Sequence, residues 1–212
     1  MTTAEQRRSH WQQVWTTRAA DSVSWFESRA VQSLELIFSV SESRDAAIID
    51  VGGGASVLVD GLVAEGFANV TVLDVSSAAL AVARVRLGVQ AERLHWVEAD
   101  VLTADFAHSS FDVWHDRAVF HFLTDEGERV RYVQALARAL KPGGHALIAC
   151  FALDGPMRCS GLPVVRYDAA GLAAQLGPLF QPVHDLHATH STPGGSRQSF
   201  LYTVFRYCPA VP

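Results

Sequence analysis

Three acidic residues fall just after apolar runs, at spacings suited to holding a nucleoside. Asp50-Val51-Gly52-Gly53-Gly54 closes the run 46–51 and leads into a helical pattern. Glycines allow positive φ and close approach of the backbone to a ligand. A helix N-terminus adds free N–H groups for an anionic or carboxylate group. A ligand-free strand-to-helix turn would use the same residues. Asp74, 20 residues beyond Gly54, ends a second apolar run with Val75 beside it. A carboxylate there can accept from both hydroxyls of a ribose. Asp100-Val101 follows a third run; that acid can accept from the exocyclic amine of adenine or serve as a solvated loop acid, and spacing does not choose between the two.

The elements that must position these acids follow from periodicity. Short apolar runs at 46–51, 70–75, 94–98, 111–115 and 145–151 alternate with helical patterns at 55–66, 77–88 and 126–140. That alternation predicts an α/β fold: a doubly wound, mostly parallel, seven-stranded Rossmann-like sheet with helices on both faces. Helical patterns at 4–19 and 25–39 precede it. After a helix at 168–177, extended segments at 182–190 and 199–206 flank Pro193-Gly194-Gly195, which predicts an antiparallel pair ending the sheet. Phe200, Tyr202, Val204 and Arg206 share one face of the last strand, and Leu201, Thr203 and Phe205 the other. In such sheets ligands bind beyond the carboxyl ends of the strands, where the acids fall.

Composition narrows the classes. The 212 residues are 49% hydrophobic and 18% charged, enough apolar material for one buried core. A net charge of −5 with no basic face argues against nucleic acid as partner. The polar N-terminus and the lack of an apolar stretch of ~18 residues point to a cytoplasmic protein with no membrane contact. Cys150, Cys159 and Cys208 are odd in number and lack CxxC spacing, as reduced thiols do. His184 and His190 share a strand face from which His187 points away, so no metal is expected.

A dinucleotide fingerprint requires G-x-G-x-x-G, and Val57 stands at the third glycine. The pattern instead resembles the class I S-adenosylmethionine-dependent methyltransferases, most clearly over residues 46–151. The resemblance implies that Asp50, Gly52, Gly53 and Gly54 border the methionine portion of S-adenosylmethionine and that Asp74 and Val75 take its ribose. Asp100 and Val101 would flank the adenine. Asp116 corresponds to the motif over the transferring methyl, His115 is expected to bind the cofactor, and Leu140-Lys141-Pro142-Gly143-Gly144 corresponds to the family's post-helix turn. Ser56 replaces a glycine common in the family. Trp11 and Trp15 resemble a W-x3-W element of thiopurine and related thiol methyltransferases, where aromatics cover the cofactor. Ser24-Trp25-Phe26 is similar to the start segment of a bacterial group related to lysine methyltransferases. Aromatic faces suit a sulfonium cation, although i, i+4 tryptophans also serve simple packing. Residues 1–44 are thus expected to form a cofactor-covering segment, and residues 45–212 the S-adenosylmethionine-binding domain.

Methyl transfer is an in-line displacement that leaves S-adenosylhomocysteine. Asp116 and His121 are the expected catalytic residues, His121 because its unperturbed pKa lies near ~6.5; a hydrogen-bonded structural role is its alternative. Phe120 and Phe122 offer packing for the acceptor. Arg158, Cys159 and Arg166 lie in a segment long enough to cap the pocket, and the arginines can bind an acceptor carboxylate. A small-molecule acceptor is expected, with a protein lysine as the alternative. Metalloid or thiol methylation and a non-enzymatic cofactor-binding module stand behind these. The protein is expected to act as a monomer or homodimer.

Overall fold

The structure, a computed structural model, describes residues 4–209; the outer ends of the segments expected at 1–44 and 45–212 lie outside them. Seven strands form one sheet in the order β3-β2-β1-β4-β5-β7-β6. They are β1 (Ile48–Val51), β2 (Val70–Asp74), β3 (His95–Glu98), β4 (Phe111–Arg117), β5 (Leu140–Phe151), β6 (Phe180–Ser191) and β7 (Arg197–Tyr207). The first five pair in parallel; β7 runs antiparallel to both β5 and β6. The expected sheet and its antiparallel end are both present.

Apolar residues on successive positions feed two cores. Ile48, Val113 and Leu147 point to one face of the sheet, Ile49, Trp114 and Ile148 to the other, and all are buried. The last strand follows the expected alternation, with Phe200, Tyr202 and Val204 in one core and Leu201 and Phe205 in the other. Burial on both faces is what an α/β crossover sheet imposes. The covering helices are α1 (Ala4–Thr17), α2 (Val31–Val40), α3 (Leu58–Ala64), α4 (Ser77–Leu87), α5 (Glu126–Ala139) and α6 (Ala169–Leu176). Ser76, Asp125 and Asp168 cap α4, α5 and α6, each side chain accepting from a backbone N–H three residues on.

Three boundaries depart from expectation. The helix expected over 25–39 begins only at Val31. The carbonyls of Ser24 and Trp25 instead accept from His190 and Arg117, which holds 24–30 out of a helix. The glycine turn does not run straight into a helix; α3 starts four residues later, at Leu58. The Lys141–Gly144 turn lies inside β5, beside a register shift against β4, with Gly143 at φ +82° and Lys141 bonded to Asp112 at 2.8 Å.

Candidate active site at the strand ends

The carboxyl ends of β1, β2, β3 and β4 converge on a cleft of about 110 Å³. Gly52, Asp74, Val75, Asp100 and Val101 line one half of it. Gly52 has φ +68°, and a Cβ there would strike the Val119 side chain. A Cβ on Gly53 would strike the Asp50 carboxylate and lie 2.9 Å from Val72. Close packing rather than ligand approach thus already demands glycine at both positions. The N–H groups of Gly52 and Gly53 donate to the Leu73 carbonyl, which pins the turn to β2. Asp50 and Gly53 border an adjoining cavity of about 60 Å³ that shares Trp15, Trp25, Gly52 and Arg117 with the cleft.

Asp74 is 6% exposed, and its Oδ1 accepts from the Ser76 N–H at 2.8 Å. Burial, offset in part by that hydrogen bond, pushes its carboxyl up to about 7. Asp100 caps its own loop through the Leu102 N–H at 2.9 Å and accepts from Arg7 at 2.7 Å. Arg7 also donates to Glu128 on α5 at 2.5 Å. From the same helix, Gln12 accepts from the Ser76 hydroxyl at 2.9 Å, at the start of α4. These contacts lay α1 across the strand ends. Arg7 and Gln12 escaped the sequence reading because each is an ordinary polar residue on a helix surface; only tertiary placement gives them partners.

At the end of β4, Asp116 is fully buried and accepts from the backbone N–H groups of Val119 (2.8 Å) and Phe120 (3.0 Å) and from Tyr132 (2.5 Å). Burial raises its carboxyl to about 6. Asp116 therefore shapes the turn after β4 and stands behind the cleft wall. Two further expectations need correcting. Phe120 packs into the core between Tyr132 and Tyr167, not against an acceptor. His121 is fully buried between Phe122 and Phe151 and is absent from the cleft lining. Burial and the nearby Arg117 lower it to about 3, so its ring is neutral at physiological pH. The motif period placed both residues near the site; the short 3-10 turn Phe120–Phe122 rotates them inward and turns Phe122 into the cleft. His115 is held at both ring nitrogens, by Asp50 (2.7 Å) and Ser33 (2.9 Å), and borders the adjoining cavity.

The other half of the cleft is aromatic. Trp11 meets Trp25 and Phe122 edge to face at centroid distances of 5.7 and 5.2 Å, and Trp15 meets Trp25 at 5.9 Å. Such pairs contribute about 0.5–1.5 kcal/mol each beyond their burial. Cys159 borders this half, and burial pushes its thiol up to about 11, leaving it protonated and a poor nucleophile. Arg158 and Arg166 do not line the cleft. Arg158 bonds the Gly161 carbonyl, and Arg166 the carbonyls of Leu153 and Gly155, so both brace the loop after β5. Arg117, at the turn where Ala118 adopts φ +71°, does line the cleft. No motif in the sequence singles Arg117 out.

Residues 48–144 match the family model of a methyltransferase domain. Over that stretch, a little under half of the chain, the sequence is similar to methyltransferase domains. A ubiquinone biosynthesis O-methyltransferase of Cronobacter sakazakii is 33% identical over 103 residues, covering 48% of this chain and 41% of that relative. Thus the chain spans less than half the length of the curated relative it matches. Among solved structures, an S-adenosylmethionine-dependent methyltransferase from Anabaena variabilis superposes with a TM-score of 0.73 at 15% identity, covering 98% of this chain and 96% of the other. The 1,6-didemethyltoxoflavin-N1-methyltransferase of Burkholderia thailandensis, solved with its substrate and S-adenosylhomocysteine, gives 0.70 at 21% identity, covering 99% and 92%. At these identities the structures share the fold. The matched residues hold the glycine turn, all three strand-end acids and Phe122, whereas the three tryptophans of the aromatic wall, Trp11, Trp15 and Trp25, lie outside them. Among the described residues no helix is long and apolar enough to cross a membrane.

Proposed function

We propose that the protein transfers the methyl group of S-adenosylmethionine to a small-molecule acceptor bound in the aromatic half of the cleft. The observation that carries this reading is the two-part cleft, with a ribose-type acid and glycine turn at one end and a roofed aromatic chamber at the other. Asp74 takes the ribose hydroxyls and Asp100 with Val101 borders the adenine. Asp50 and the glycine turn border the methionine portion. Residues 1–44 cover the cofactor through Trp11, Trp15 and Trp25. Asp116 is a positioning residue that fixes the turn bearing Arg117, Val119 and Phe122.

The reaction needs nucleophile, methyl carbon and sulfur in line. Alignment alone is worth about 7–11 kcal/mol, and the apolar walls exclude competing water. The ubiquinone and toxoflavin enzymes named above act on small molecules, which supports the same class here. Titration calorimetry with S-adenosylhomocysteine tests the cofactor; no saturation at millimolar ligand would overturn it. Incubation with methyl-labelled cofactor and fractionated lysate tests the acceptor. Label is expected in the small-molecule fraction, and label confined to protein would establish the lysine alternative instead.

A further inference from the structure

Arg117 carries a feature that the methyl-transfer reading leaves unused. Its side chain is 10% exposed, yet it lines both the cleft and the adjoining cavity. Nε donates to Tyr202 (3.0 Å) and Nη1 to the Trp25 carbonyl (3.2 Å), and the Phe200 ring lies beneath the guanidinium at 4.6 Å. Nη2 sits 3.1 Å from Glu27 Oε1, close enough for an ion pair but misaligned for a hydrogen bond. A buried guanidinium nitrogen without a hydrogen-bond partner is costly unless a ligand completes it. Arg117 also faces Cys159 and His121, and His190 lies 3.9 Å from its partner Glu27.

The cleft also lacks a proton acceptor on the acceptor side. Among the described residues its ionisable lining is Arg7, Asp74, Asp100, Arg117 and Cys159. Arg7 and Asp100 bind each other, Asp74 sits at the ribose position, and Cys159 is a protonated thiol. In the adjoining cavity, outside the chamber, Glu27 is paired to Arg117, His115 has both ring nitrogens engaged, and Asp50 holds His115 through Oδ1 while its Oδ2 has no hydrogen-bond partner. A neutral alcohol or thiol must shed a proton on methylation, and no side chain lining the chamber is free to take it; a neutral amine would leave as an ammonium ion beside the Arg117 guanidinium. An acceptor that arrives ionised sheds none.

We infer that the acceptor is a planar aromatic anion, a phenolate or arenethiolate, whose ionised atom or ring substituent is held by Arg117 between Trp25 and Phe122. This rests on the methyl-transfer reading above and narrows it. The balance is simple. The anion's electron pair forms the new bond to the methyl carbon, the carbon–sulfur bond breaks, and its pair returns to sulfur. A cation and an anion become two neutral molecules, and no proton is released. Walls of indole and phenyl favour a step that annihilates charge, because the separated ions are poorly solvated there. The Arg117 N–H groups keep the acceptor ionised until the cofactor is aligned.

The test uses the full chain saturated with S-adenosylhomocysteine, titrated calorimetrically with 4-nitrophenol at a pH where it is ionised and with its neutral isostere 4-nitroanisole. The phenolate is expected to bind at least tenfold more tightly. Arg117→Met should remove that gap while S-adenosylhomocysteine affinity stays within twofold, and Arg117→Lys should restore part of it. Equal binding of the two probes by the unaltered protein, or no phenolate binding at millimolar concentration, would overturn the inference whether or not the variants fold. So would tighter binding of 4-nitrobenzylammonium. A tenfold loss of S-adenosylhomocysteine affinity in Arg117→Met would assign the guanidinium to the cofactor carboxylate and also overturn it. If the unaltered protein fails to bind S-adenosylhomocysteine, the methyl-transfer reading itself falls.

Discussion

Asp74 shows how one side chain sets opposite demands on the free and the bound protein. Its carboxyl, held up to about 7 by burial, is largely protonated in mildly acidic solution. A neutral carboxyl has only one fully accepting oxygen; a carboxylate offers two to a ribose diol. S-adenosylhomocysteine should therefore bind several-fold more tightly at pH 8 than at pH 6. Calorimetry at both pH values checks this, and Asp74→Asn should weaken binding at least tenfold at pH 8 and flatten the profile. Stability moves the other way. A carboxyl raised above its unfolded value of 3.8 favours the folded state fully only below that value, and the contribution is lost as pH climbs through about 7. The cofactor-free Asn variant should consequently melt no lower than the unaltered protein at pH 8. Asp74 was legible in the sequence because a strand end and a 20-residue interval fix its place. The inward turn of Phe120 and His121 was not, because a single 3-10 turn reverses which side chains meet the cleft.

At the scale of elements, α1 answers to the helix expected over 4–19, but its mode of attachment is a tertiary matter. It buries only Val14 among its described residues, and its other attachments are polar links and ring contacts. Links of this kind contribute about 0.5–1.5 kcal/mol each, more where charged. Combining Arg7→Ala with Gln12→Ala should speed proteolytic cleavage within 4–17 several-fold and weaken S-adenosylhomocysteine binding roughly three- to tenfold. The melting temperature should shift by no more than a few degrees, because neither core cluster includes α1. Limited proteolysis beside thermal melting measures both. The sheet helices and strands were legible from apolar period alone. The stretch before α2 was not: Ser24–Ala30 has the composition of a helix start, and only distant side chains from β4 and β6 capture its carbonyls.

On the scale of the whole molecule, the sheet gathers its chemistry by position: acids at three strand ends, the glycine turn at the first, and a turn after the fourth that carries both Arg117 and Phe122. Composition and alternation made that architecture readable, down to the antiparallel close. The chamber was less readable, since its walls come from α1, the segment before α2, the turn after β4 and the loop after β5, which are far apart in sequence. A single helix, α1, touches Asp100 through Arg7, Ser76 through Gln12, and the aromatic chamber through Trp11. Whatever steadies that helix from one side prepares the other. Thermodynamic reciprocity then applies: the factor by which S-adenosylhomocysteine tightens an aromatic ligand must equal the factor by which that ligand tightens S-adenosylhomocysteine. Calorimetry in both orders should return one common factor above unity, and the Arg7–Gln12 double variant should bring it toward one, leaving two half-sites that no longer sense each other.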